Sequence, residues 1–373
     1  MTNRERTHAA LAMEPTEGIP AGMLHVMDIP YLERRSGHAP GAYRADPDRV
    51  YCAFQRTVGT GMVDQYLAAN PLSMGAHGYE SDTARSATTG AETIVCDGIP
   101  IRDADDVARH LESVVFPALE AAIAATDPDD LTPLDAAVAE EQRVQQLLGP
   151  DILKIPYAPF YQFPVLRYGH YGYAPYLTAF VMYPELMERD FRLQADLALR
   201  HNRRCAAVIQ REGWSPVLRL DHDMADSTGP LVDVRMLEAR WFPHFDRAIQ
   251  PLLDAGIRLL WHCDGNLMTM VPRLIACGIG GFQGFQYEDG MDYARLCAMT
   301  DRHGGPLMIW GGVSVTRTLP FGTPDDVRAE LAWLVRHAPP VGFFLGASSS
   351  IAPGVPHPNL DALIDGLAYY RGE

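Results

Sequence analysis

Lysine is nearly absent. Lys154 stands alone among 31 basic side chains in a chain of 373 residues. Those 31 face 47 acidic residues, for a formal net charge of −16. A nucleic-acid binder needs a basic face to displace counterions, and no Lys/Arg-rich run offers one, so nucleic acid is not an expected partner. Local anion sites, where they occur, must be arginine forks rather than lysine point charges. The six cysteines (Cys52, Cys96, Cys205, Cys263, Cys277 and Cys297) contain no CxxC pair and no regular spacing. That argues against a disulfide framework and for reduced, cytosolic thiols. Residues 1–15 lack the apolar stretch of a signal peptide, and no run of about 18 apolar residues offers a membrane span. The expectation is a cytoplasmic protein with no membrane partner. No strand-like run is followed by GxGxxG, which removes support for an open dinucleotide-binding sheet. Internal repeats and low-complexity tails are also missing.

What is present is globular: 47% apolar and 21% charged residues, enough for one large core. Short apolar runs recur at residues 19–24, 61–64, 152–156, 217–220, 258–261, 281–285, 307–310 and 343–345. They are mostly continuous, as strands buried on both faces are. Helix-like stretches separate them. The clearest start is Thr323-Pro324-Asp325-Asp326, with a Thr cap, a Pro at the first position and two acids in the first turn. Thr2-Asn3-Arg4-Glu5 is a capping-box pattern for an opening helix. Eight strand candidates alternating with helices predict an α/β fold of one domain, a (β/α)₈ (TIM) barrel. Residues 68–150 interrupt the alternation and read as an insertion after the second strand.

In such a barrel, catalytic side chains sit at the C-terminal ends of the strands. The polar clusters fall there. The fourth run leads into Asp221-His222-Asp223, and the fifth into His262-Cys263-Asp264-Gly265-Asn266. The sixth leads into Gln286-Tyr287-Glu288, and the eighth into Ser348-Ser349-Ser350. His262 and Asp264, two apart, share one face, so they suit a divalent metal or an acid–base pair; the bland alternative is a tight turn beside a satisfied histidine. Asp221 and Asp223 raise one another's pKa or recruit a cation, unless they only make an Asx turn. Ser349 offers a donor to a substrate carboxylate, or a cap. Residues 157–176, rich in aromatics, Gly and Pro, exclude a regular helix and read as a lid over a flat ligand or a loop packed on the rim. Tyr157, Arg167 and His170 are its polar groups. The apolar flank Trp241-Phe242-Pro243 is a candidate homodimer surface.

Several of these features resemble the uroporphyrinogen decarboxylase superfamily, which includes the corrinoid-dependent methyltransferases. They are Asn3-Arg4-Glu5-Arg6 through Ile19-Pro20; Asp221-His222-Asp223 followed by Leu231-Val232-Asp233; and His262 through Asn266, similar to a His-x-Cys-Gly-Asn segment. Gly311-Gly312-Val313, Phe321-Gly322-Thr323-Pro324 and Val355-Pro356-His357-Pro358-Asn359 complete the pattern. The resemblance implies a barrel with its site at the strand C-termini. Its methyltransferase branch binds zinc through His-x-Cys and a later Cys, activates a thiol, and exchanges methyl groups with a corrinoid partner protein. Carried over, His262 matches the histidine, Asp264 takes the first cysteine's place and Ser349 the second's, with Cys263 one position off. The set is then oxygen-rich: zinc can still bind His and Asp, but a harder divalent metal, or no metal, is the better match. The decarboxylase branch carries an Arg-Gln-Ala-Gly-Arg pattern that is absent here, although Arg34, Arg35 and Arg44 lie in that region. The leading expectation is a methyltransferase-like enzyme for a small methylated substrate. The alternatives are a metal-independent decarboxylase of a carboxylated, even tetrapyrrole, substrate and a corrinoid- or tetrapyrrole-binding protein without turnover.

Overall fold

The computed structural model describes residues 1–68, 87–88, 91 and 93–373. The parts of the expected insertion at 69–86, 89–90 and 92 lie outside the described residues. Strands are β1 (Met62–Val63), β2 (Ile94–Cys96), β3 (Ile99–Ile101), β4 (Leu153–Lys154), β5 (Val217–Asp221), β6 (Ala225–Asp226), β7 (Gly229–Pro230), β8 (Arg258–His262), β9 (Ile279–Gln283), β10 (Met308–Val313) and β11 (Phe343–Ala347). The main sheet is five-stranded and parallel, in the order β11-β10-β9-β8-β5. β1 and β4 form a separate parallel pair. The pairs β2–β3 and β6–β7 are antiparallel excursions, the first inside the insertion.

The expected strand at 19–24 is reduced to a bridge. Ala21 pairs in parallel with Thr60, just ahead of β1, and with Leu345 in β11. Pro20 has no N–H to give, and the Ile19 N–H goes to Tyr370 O at 2.9 Å, so a ladder cannot extend. The bridge still joins the two parallel sheets. Between β4 and β5, however, no ladder occurs among the described residues. The α/β class and parallel strand order therefore stand, while a closed barrel ladder is not shown between these two strands. One side chain occupies this edge of β4. Gln145, on the helix Asp135–Leu148, accepts from Lys154 N at 2.9 Å and donates to Ile152 O at 3.0 Å. The backbone groups that a neighbouring strand would pair are thereby taken.

Side chains nonetheless meet across this seam. Met62, Leu153, Ile155, Val217, Leu260, Met308, Trp310 and Phe344 form one buried cluster, sealed below by Ala10 and Leu11 of the opening helix. β9 contributes no bulk there. A Cβ on Gly281 would lie 2.8 Å from Leu260 Cγ and 2.4 Å from Met308 O, so only glycine fits. The alternate strand residues Leu218, Leu220, Leu259, Trp261 and Ile309 face outward into the larger core with the helices. Burial of each large side chain contributes about 1.5–3 kcal/mol.

The helices confirm several sequence signals. Pro184–Glu212 and Pro324–His337 begin and end as read, and capping boxes form at Thr2 and Thr323. Two expectations are corrected. The segment 157–176 is not wholly irregular: helices Tyr168–Tyr171 and Tyr173–Met182 occupy its end, broken by Gly172 at φ +80°. Pro175 fits because it falls in the first turn, where no N–H partner is needed. Trp241 and Phe242 form no dimer flank, since both are fully buried in the chain's own core, Trp241 stacked on Phe245. No described helix is long and apolar enough to cross a membrane.

Candidate active site

The inward face of β5 shows how the site is built. Val217 belongs to the central plug, Arg219 comes next, and Asp221 ends the strand. β8 repeats the arrangement with Leu260 in the plug and His262 at the end; the two ends are paired in register. Period-two alternation thus carries each strand from an apolar floor to a polar mouth. A cavity of about 300 Å³ lies above the floor, lined by Met62, Trp310 and Phe344 below and by Asp64, Arg219, Asp221, His262, Asp264, Gln283 and Ser349 at the sides. That is the low end for small-molecule pockets.

Arg219 organises one side. Its Nε donates to Asp64 Oδ2 at 2.6 Å and its Nη1 to Asp221 Oδ2 at 3.0 Å. The guanidinium also lies 4.8 Å from the centre of the Tyr157 ring, and the Tyr157 hydroxyl donates to Asp221 Oδ2 at 2.7 Å. Burial works against the Arg219 charge, yet Asp64 above all, with Asp221, holds it protonated. Burial likewise pushes the Asp221 carboxyl up, but His262, Arg219 and the Tyr157 hydroxyl outweigh it, and the net shift is downward.

Opposite stands His262. Its ring makes no hydrogen bond among the described residues, and Nδ1 is buried without a partner. A Cβ on Gly284 would come within 2.5 Å of that Nδ1; glycine there, at φ +83°, lets the ring lie against the backbone. Nε2 is 3.9 Å from Asp221 Oδ1 and 4.0 Å from Asp264 Oδ1. Asp264 Oδ1 is also buried without a partner, while Ser349 Oγ donates to Oδ2 at 3.3 Å. Burial, aided by Asp223, raises the Asp264 carboxyl above its usual range despite His262. Asp223 accepts from Asp264 N at 2.9 Å, and ligand atoms of Asp221, Asp223 and His262 lie within 4.8 Å of one another. The oxygen–nitrogen set can hold a divalent metal. Cys263 is not part of it. Its buried Sγ accepts from Met224 N at 3.2 Å and donates to Asp264 O at 2.9 Å, and burial pushes the thiol far up.

The structure thus brings together Tyr157, Asp221, Asp223, His262, Asp264 and Ser349. Asp221, His262, Asp264 and Ser349 line the cavity, Tyr157 and Asp223 contact them from behind, and the remaining sequence candidates lie elsewhere. His222 Nε2 accepts from Leu166 N at 2.9 Å, and its ring stacks on Tyr168 at 5.5 Å. Arg167 forks onto the buried Asp190. His170 lies beside His110 and Asp97. Gln286 accepts from Gly265 N at 2.8 Å, Asn266 from Met268 N at 3.2 Å, and Glu288 from Ser314 Oγ at 2.6 Å, so these three brace the loops behind the mouth. Arg34 and Arg35 pair with Asp361 and Asp365. Sequence reading missed Asp64, Arg219 and Gln283, as well as His25, which also lines the cavity. A charge inside the apolar run Val217-Leu218-Arg219-Leu220 was the available signal for Arg219, since an unpaired charge cannot stay buried there.

No protein-family model matches the chain, and no curated protein matches it. Among solved structures, a methyltransferase from Methanosarcina mazei is similar over 99% of both chains, with a TM-score of 0.60 and 16% sequence identity. At that identity the likeness is one of fold.

Proposed function

We propose that the chain is a methyltransferase-like enzyme acting on a small methylated substrate, with a thiol or a corrinoid protein as its partner in the transfer. The observation that carries this reading is the placement of His262. A nine-tenths-buried imidazole without a hydrogen bond among the described residues points Nε2 at two carboxylates 3.9 and 4.0 Å away. That is too far for a hydrogen bond. Two ligands about 2.1 Å from one tetrahedral ion lie about 3.4 Å apart, so a bound ion would draw His262 and the carboxylates slightly together. The unpartnered Asp264 Oδ1 suits the same position. His262, Asp264 and Asp221 would hold a zinc ion or a harder divalent cation, with Asp223 in reach. Such a cation supplies Lewis-acid activation of a thiol acceptor.

The chain's own residues supply the setting. Arg219 and Tyr157 fix the Asp221 carboxylate, and Ser349 orients Asp264. Met62, Trp310 and Phe344 give a methyl group an apolar floor. A cavity of about 300 Å³ favours a small substrate over a tetrapyrrole. The fold likeness to a methyltransferase supports the reaction class by analogy.

A metal-independent decarboxylase is the second reading. It is favoured by the opposite shifts of Asp221 and Asp264, which suit an anion beside a proton donor. Against it, Arg219 is already spent on Asp64 and Asp221, leaving no free arginine among the described residues of the cavity lining to grip substrate carboxylates. The deciding experiment measures metal content and methyl transfer between free methylcobalamin and a small thiol. The proposal expects about one equivalent of divalent metal at the mouth and loss of transfer on His262→Ala. Metal-free protein that transfers methyl groups equally well with and without His262 would falsify it.

A further inference from the structure

Away from the mouth, three metal-ligating side chains converge where the insertion meets the aromatic segment. Asp97 is at the tip of the β2–β3 hairpin, His110 ends the helix Ala104–His110, and His170 sits in Tyr168–Tyr171. One ligand atom from each lies within 4.8 Å of the others. His110 Nε2 is 3.0 Å from Asp97 Oδ2, and its Nδ1 is 2.9 Å from the Tyr171 hydroxyl. The His110 and His170 ring centres are 6.0 Å apart. The Cys96 thiol donates to His170 O at 3.4 Å, so hairpin and helix already touch.

The backbone takes two uncommon forms to produce this meeting. Asp97 is a non-glycine residue at φ +49°, followed by Gly98 at φ +79°, a two-residue hairpin turn that swings its carboxylate over His110. Directly after His110 the helix becomes a single π turn, Leu111–Val115. Such turns are rare and gather at functional sites. His110 is fully buried, whereas Asp97 and His170 are exposed, so solvent-side ligands close over an inner one. If Nδ1–H donates to Tyr171, the Nε2 lone pair faces a carboxylate, and two acceptors at this distance need a proton or a cation between them.

We propose that Asp97, His110 and His170 form a second divalent-cation site, of the zinc class, with water completing the shell. Its place in the fold is a clamp. Bound metal ties the insertion hairpin to the short helix carrying Tyr168, whose hydroxyl donates to Asp223 O at the rim of the mouth. The site does not depend on the reading of the mouth cavity.

The test uses Co²⁺ as a spectroscopic probe on the full chain after removal of bound metal, with His262→Ala as the background so that the mouth ligand is gone. One equivalent of Co²⁺ is expected to bind that background. Adding His170→Ala or Asp97→Asn should weaken binding at least about 100-fold, because each removes a direct ligand. Both positions are exposed, so folding is checked by an unchanged metal-free melting temperature. No Co²⁺ binding in the His262→Ala background, or binding indifferent to both further substitutions, overturns the proposal. Failure of the mouth reading looks different: wild type and His262→Ala then bind the same single equivalent, and His170→Ala still removes it.

Discussion

Arg219 Nε lies 2.6 Å from Asp64 Oδ2, with the two side chains only 5% and 3% exposed. The pair joins the fourth strand position to the second across the mouth, and Asp221 makes it a triad. Buried charges of this kind contribute little net stability when complete but cost much when broken. Arg219→Met leaves two carboxylates facing each other without a cation. We expect a loss of about 3–5 kcal/mol, read from denaturant unfolding at neutral pH. Asp64→Asn should cost less, because Asp221 still holds the guanidinium. Equal and small losses in both variants would mean that water satisfies Asp64.

Asp264 provides a pH test that does not require a known substrate. Its folded-state pKa is raised by burial, so the fold prefers its protonated form. Stability from this group is fully present below the unfolded pKa and is lost as pH rises through the folded one. Metal-free wild type should therefore be less stable at pH 7 than Asp264→Asn, with the gap closing as pH falls toward the ordinary carboxylate range. Zn²⁺ should stabilise wild type at pH 7 and have less effect on the variant. Melting temperatures with chelator and with Zn²⁺ decide the matter. A variant less stable than wild type at every pH sinks the argument.

The open seam gives a third expectation. Gln145 replaces a strand neighbour for Lys154 N and Ile152 O. Gln145→Leu keeps the bulk and removes both bonds, together with the bond from Nε2 to Gly149 O at 2.9 Å, so three backbone groups lose partners. The expected cost is about 1–3 kcal/mol, with faster hydrogen exchange at the Lys154 amide. Unchanged exchange there means the edge is protected by something other than this amide.

Much of this architecture was legible in the sequence, and the exceptions have physical causes. Runs of apolar residues located β1, β4, β5, β8, β9, β10 and β11 because strands between a plug and a layer of helices are buried on both sides. Helix ends at Pro184 and Thr323 were legible because capping is local chemistry. The unclosed seam was not, since Gln145 is a helix residue whose role depends on what lies opposite. Asp221, His262 and Asp264 were legible as neighbours at one cavity because parallel strand ends share a rim. Arg219 and Asp64 were missed because they pair across 155 residues of sequence, and pairing at that range leaves no spacing pattern. His222, adjacent to two acids, invited a chemical role that its contacts direct elsewhere.

Those contacts make the last prediction. His222 Nε2 accepts the Leu166 N–H at 2.9 Å, which requires an unprotonated nitrogen, and the ring is sandwiched near Phe163 and Tyr168. Burial drives its pKa down to about 4. The unfolded chain titrates near 6.5. A depressed folded pKa contributes stability that is present above the unfolded value and is lost as pH falls toward the folded one. Between about pH 6.5 and 4 the unfolded state takes up a proton that the folded state refuses, worth up to about 3 kcal/mol. His222→Gln keeps an acceptor for Leu166 while removing the titration. Its unfolding free energy should fall less steeply than that of wild type across this interval, and the two should differ least above pH 7. Activity should change little at neutral pH, because the imidazole anchors the aromatic segment rather than lining the cavity. Parallel pH profiles in the two proteins would mean that His222 is protonated in the fold and that Leu166 has another partner.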